Sequence, residues 1–129
     1  MRVVVTGLVA TYPVGGVAWD YLQYVQGFRA LGCDVYYLED TGAWFYDPGA
    51  QTFTEDPRAN ARFLAEALAS LDPALARVWA LRGPDGSLHG LDEPEYQAKP
   101  WLAPGVAAAA ASRPVYRSAQ RFSPPSGMA

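Results

Sequence analysis

Residues 2–40, RVVVTGLVATYPVGGVAWDYLQYVQGFRALGCDVYYLED, constrain the fold more than any other stretch of the chain. Arg2 to Thr6 carries the β-branched run Val3, Val4, Val5, and apolar side chains at consecutive positions suit a strand covered on both faces. Gly7 and the pair Gly15-Gly16 follow. Ala18, Tyr21, Leu22, Val25 and Phe28 then recur at helical spacing, which keeps one stripe turned toward a sheet. Gly32, just past Leu31, suits the left-handed conformation that closes a helix. Asp34 to Glu39 (DVYYLE) reads as the second strand. A strand–helix–strand unit this short predicts a parallel pair joined by a right-handed crossover.

At 129 residues the chain has room for one domain and a small doubly wound sheet, so the opening unit predicts an α/β, Rossmann-like parallel sheet flanked by helices. Half the residues are hydrophobic and 17 are aromatic, many of the latter outside periodic segments. No apolar run approaches the roughly 18 residues that a membrane span requires. Arg2 leads straight into a strand, without the basic start and cleavage site of a signal peptide, and a cytoplasmic location is expected. The single cysteine, Cys33, rules out an internal disulfide and a cysteine-built zinc site; it reads as a small apolar residue opening a strand.

The formal charge of −3 hides an asymmetry. All 13 acids lie at or before Glu95 beside six bases, whereas residues 96–129 hold four bases (Lys99, Arg113, Arg117, Arg121) and no acid. The acidic part carries no basic patch, which argues against nucleic acid as a partner.

Residues 41–56, TGAWFYDPGAQTFTED, lack a helical period and hold a turn signal at Asp47-Pro48-Gly49. The stretch reads as irregular, and a long irregular segment in a compact domain is usually functional or mobile. Trp44, Phe45 and Tyr46 are consecutive and cannot all enter one core, so part of that aromatic surface is expected to face a cleft or a second domain. Asp56-Pro57 signals a helix start, with Asp56 capping and Pro57 in first position. That helix should run to about Leu71 with Phe63, Leu64, Ala67, Leu68 and Leu71 inward, and Asp72-Pro73 ends it. Ala76 to Leu81 suits a third strand. Gly83-Pro84-Asp85-Gly86 turns the chain into a short segment around His89, and Asp92 is placed to cap a further helix. Residues 1–98 thus form the domain. Residues 99–129, rich in Ala, Pro, Ser and Arg, have no amphipathic period and are expected to be disordered or poorly packed.

Gly15-Gly16 admits three readings: a tight turn packing helix on strand, a phosphate or sugar-nucleotide contact at the helix N-terminus, or a NAD site. The last lacks the G-x-G-x-x-G fingerprint, although Glu39 ends the second strand at a suitable distance. Asp20 is either a first-turn acid stabilised by the helix dipole, or a group that binds acceptor hydroxyls or acts as a base. Glu39 and Asp40 lie where open α/β sheets bind ligands, or else cap the following loop. His89, the lone histidine, would have to serve any Ser-His-Asp triad, but no G-x-S-x-G precedes a helix, and a loop or surface position is expected. No cluster of ligand-type residues suggests a metal.

The run from Val5 to Pro48 is similar to the N-terminus of bacterial glycosyltransferase-like proteins of the two-domain GT-B architecture. The residues carrying the resemblance are Gly7, Pro13, Gly15, Gly16, Trp19, Asp20, Gln23 and Tyr24, then Gly32, Asp34, Val35 and Tyr36. Leu38-Glu39-Asp40-Thr41-Gly42 and Tyr46-Asp47-Pro48 complete it. The resemblance spans roughly residues 1–95, with LEDTG followed by YDP its more specific part. It implies transfer of a sugar from a nucleotide donor, with this half of the architecture binding mainly the acceptor and its glycine loop approaching the donor diphosphate. Gly15, Gly16, Trp19, Asp20, Glu39 and Asp40 would then serve donor phosphate or acceptor, and no catalytic base is assigned. The nucleotide sugar enters as substrate, and no cofactor is implied. Such enzymes are much longer, and the nucleotide-holding second domain has no counterpart here. The chain alone is therefore expected to be inactive, and to self-associate through exposed apolar surface. Loss of acids and periodicity near residue 98 suggests that the tail is an out-of-frame reading or the end of a truncated copy. The alternative is a small non-catalytic module that binds a nucleotide or a partner through the aromatic stretch 41–56.

Overall fold

We describe a computed structural model of the chain, covering residues 1–98 and the backbone of residues 107–110. The opening unit has the expected form. Strand β1 (Arg2–Thr6), helix α1 (Gly15–Ala30) and strand β2 (Asp34–Glu39) follow in order, with β1 and β2 parallel. All three central valines of β1 are buried, as consecutive apolar residues require. Helix α1 ends at Gly32, which takes φ +83. The Gly32 N–H donates to the Arg29 carbonyl and the Cys33 N–H to that of Phe28, the paired bonds of a Schellman motif.

Residues 41–56 are not irregular throughout. They hold a small hairpin of β3 (Phe45–Asp47) and β4 (Thr52–Thr54), closed through a turn in which Gln51 has φ 52. Strands of three residues are too short to display an alternating pattern, which is why the sequence reads as featureless there. Helix α2 (Arg58–Leu71) begins one residue later than expected. Pro57 stands at its N-cap, and Asp56 accepts from the Arg58 N–H from one position further out. Leu64 and Leu68 are buried, and Phe63, Ala67 and Leu71 pack partly buried against them. A 3-10 turn (Pro73–Arg77), capped by the Asp72 side chain on the Ala74 N–H, delays β5 (Trp79–Arg82) by three residues relative to the expected start at Ala76.

His89 lies on a strand rather than a loop, in β6 (Leu88–Gly90), which pairs antiparallel with β5. Gly90 is at φ +87, and a Cβ there would meet the Trp79 carbonyl at 2.5 Å. Asp92 caps α3 (Glu93–Ala98) as expected, accepting from the Glu95 N–H. Of the expected tail, Ala107–Ala110 forms a parallel strand, β7, beside β1; the rest of 99–129 lies outside the described residues. These four alanines lack β propensity, but the open edge of β1 offers backbone donors and acceptors that any chain can pair with.

The main sheet runs β6-β5-β2-β1-β7. It is a mixed sheet, parallel through four strands with an antiparallel edge, rather than the all-parallel sheet the sequence suggested. Ala18, Leu22 and Val25 of α1 and Ala61, Leu64 and Leu68 of α2 join Val3, Val5, Val35, Tyr37, Trp79 and Leu81 in one core. These six strand residues share a parity, so both long helices cover the same sheet face. Arg82 points to the other side. There it meets the Tyr96 ring at 5.1 Å and the Glu93 carboxylate at 3.4 Å, which docks α3.

Candidate functional site

The carboxyl ends of β1 and β7 lie side by side, with Thr6 in register with Ala110. From β1 the chain order proceeds outward in one direction through β2 and β5 and in the other to β7. Open α/β sheets form a crevice at such a reversal, and the β1–α1 loop is its wall here.

That loop is held from behind by a buried polar network. Glu39, 1 % exposed at the end of β2, accepts from the Ala10 N–H at 3.0 Å, the Thr11 N–H at 2.6 Å and the Thr11 hydroxyl at 2.7 Å. The Tyr37 hydroxyl donates to the same carboxylate at 2.6 Å and accepts from the Val9 N–H at 3.3 Å. Asn60 of α2, also buried, donates to the carbonyls of Ala10 and Tyr46 at 2.7 and 3.0 Å. The Tyr46 N–H donates to the Thr11 carbonyl, tying β3 to the loop. Thr11, Glu39 and Asn60, the buried polar residues of the described chain, thus converge on residues 10 and 11. Burial pushes the Glu39 carboxyl up, against the pull of its four donors, and burial beside that carboxylate raises the Tyr37 phenol well above its usual value. Buried polar groups that are all satisfied make the loop rigid.

Glu39 therefore does not face a ligand. Its parity with Val35 and Tyr37 turns it into the core, and its oxygens are occupied by protein donors, so its part is to shape the loop. Asp40 is half-buried just beyond β2. Gly15 and Gly16, both exposed, open α1, and an added Cβ at either would meet no atom within 4 Å. No side chain caps that helix end. Asp20 sits in the second turn of α1, because the helix takes in both glycines and so starts earlier than expected; the first turn holds no acid. Trp19 and Asp20 are exposed on the outer surface of α1. The loop thus joins Glu39 behind to Gly15 and Gly16 in front.

Gly7 is needed for packing: a Cβ there would lie 2.6 Å from the Tyr21 ring and 3.0 Å from the Tyr37 hydroxyl. Near the other end of the sheet, the Ser87 hydroxyl donates to Asp85 at 2.6 Å and lies 3.0 Å from His89 Nε2. The serine stands between acid and histidine, an order that ties down a turn and does not activate a nucleophile.

Sequence reasoning missed Thr11 and Asn60 as parts of this region. One signal was available. Asn60 lies on the stripe shared with Leu64 and Leu68, where a polar side chain must find buried partners. Among the described residues no group of three metal-ligating side chains is gathered, and no helix is long and apolar enough to cross a membrane. No protein-family profile matches the chain, and no curated protein or solved structure matches it significantly.

Proposed function

We propose that this chain is a Rossmann-like, acceptor-side domain of a sugar-nucleotide-dependent glycosyltransferase. One observation carries the reading. The uncapped N-terminus of α1, opening on Gly15-Gly16, stands at the reversal point of the sheet behind a loop that the buried network makes rigid. Backbone amides and the helix dipole there suit a donor diphosphate, and the glycines allow its close approach. The inward turn of Glu39 weighs against NAD.

Saturation-transfer NMR with a panel of nucleotide sugars and NAD tests the proposal. Binding of nucleotide sugars is expected, and it should be lost in Gly16→Val, since open space around Gly16 lets the variant fold. Binding of NAD alone, or equal nucleotide binding by the variant, defeats the reading.

A second reading has its own observation. Trp19, Tyr24 and Leu31 on the outer surface of α1 are 51, 50 and 79 % exposed, and Gln23, Tyr24, Gly27, Phe28 and Leu31 line a shallow groove of about 210 Å³. Such a surface suits a non-catalytic module that meets a partner through α1. A chain that binds no nucleotide sugar but sediments as an oligomer, and as a monomer after Leu31→Asp, would favour it.

A further inference from the structure

A pocket lies at the opposite end of the sheet from the β1–α1 loop. Because β5 is parallel to β2, its start at Trp79 marks the amino-terminal rim. Strand β6 runs back and ends there at Gly90, and the Leu91 N–H donates to the Trp79 carbonyl. Ala76 and Arg77 of the 3-10 turn, Gly90, Leu91, and Glu95 of α3 line a cavity of about 330 Å³. That volume is at the small end of the range that holds small molecules, roughly 300–1,000 Å³. Both walls are anchored. Leu75, 1 % exposed, fixes the turn in the core, and Asp72 caps it. Arg82 docks α3. Across the first turn of α3 the Glu95 N–H donates to Asp92 Oδ1 at 2.9 Å, and the Asp92 N–H to Glu95 Oε2 at 3.4 Å. This reciprocal pair holds the Glu95 side chain in place.

The two charged groups of the lining have opposite sign and do not meet. Among the described residues, ion pairs take up Arg2, Arg29, Arg58 and Arg82, but neither Arg77 nor Glu95. The Arg77 guanidinium makes no hydrogen bond among those residues, and Glu95 Oε1 receives none. Charge therefore narrows the occupant. A phosphate would be drawn to Arg77 and repelled by Glu95, and a simple cation the reverse. A molecule with one charge of each sign satisfies both walls. The planar guanidinium matches a carboxylate through two parallel N–H···O bonds, and the Glu95 carboxylate accepts from an ammonium.

We propose that this pocket binds an amino acid as its zwitterion, with the carboxylate on Arg77 and the ammonium on Glu95. The site is separate from the crevice at the carboxyl ends of the strands, and the inference does not rest on the glycosyltransferase reading. The test is heteronuclear NMR of the full chain titrated at millimolar concentration with α-amino acids, with ω-amino acids of increasing length, and with inorganic phosphate. At least one amino acid should give saturable shifts at the amides of Ala76, Arg77, Gly90, Leu91 and Glu95. Its methyl ester and its N-acetyl derivative each lack one charge and should bind more weakly. Both side chains are exposed, so each contact is modest, and Arg77→Gln and Glu95→Gln should each weaken binding about five-fold. Glutamine at position 95 keeps the reciprocal bond at the start of α3. If Glu95→Gln nevertheless loosens that helix, Arg77→Gln, on the exposed 3-10 turn, carries the comparison. The proposal is overturned if no amino acid saturates, if the blocked derivatives bind equally well, if Arg77→Gln binds as wild type does, or if phosphate alone shifts these amides.

Discussion

Replacing Glu39 by Gln tests the network behind the loop with almost no change of shape. Oε1 accepts from the Ala10 N–H and the Tyr37 hydroxyl, and Oε2 from the Thr11 N–H and the Thr11 hydroxyl. A hydroxyl can rotate to accept from the new amide group, but a backbone N–H cannot. Whichever way the glutamine is turned, its NH₂ faces one backbone donor and leaves that donor without an acceptor. One orphaned buried donor costs about 1–3 kcal/mol, and loss of charge from the remaining bonds adds about 1 kcal/mol. Relief of the carboxylate's own burial works the other way, so a net loss of about 2 kcal/mol is expected. Urea unfolding at pH 7, followed by circular dichroism, should show a lower midpoint with an unchanged slope. The pH dependence adds a sign. Because the folded carboxyl lies above 4.5, the folded chain binds more protons than the unfolded chain between 4.5 and the raised value. The group's contribution is therefore full below 4.5 and declines as pH rises through that window. The decline is absent in Glu39→Gln, so the gap between wild type and variant should narrow from pH 4.5 upward. A variant within about 0.5 kcal/mol of wild type at every pH would refute the network as a structural determinant.

Two further outcomes are expected. Gly7→Ala should lower stability by about 1–3 kcal/mol, because its methyl would sit against the Tyr21 ring and the Tyr37 hydroxyl; an unchanged melting midpoint would show that α1 does not approach β1 so closely. The Asp56 carboxyl, paired with Arg58, should titrate at about 2 by carbon-13 NMR, so its contribution is present above 3.8 and lost as pH falls toward 2; titration near 3.8 would mean the pair does not persist in solution.

Periodicity, caps and turn residues were enough to read the first strand–helix–strand unit, the second helix, the Gly32 stop and the Asp92 cap, because each depends on neighbours a few residues away. The same local signals do not reach partners brought together by folding. Nothing local marks Phe45–Asp47 or Ala107–Ala110 as strands; the former acquires a partner in Thr52–Thr54 and the latter in the open edge of β1. Glu39 illustrates the division. The sequence by itself determined that an acid would end β2, at the rim where open α/β sheets in general bind ligands. Tertiary structure decided that this acid faces inward, since α1 and α2 cover the face shared by Val35, Tyr37 and Glu39 and bring the amides of Ala10 and Thr11 onto it. Burying a carboxylate is tolerable only where such donors converge, and convergence across 28 residues is a property of the folded chain.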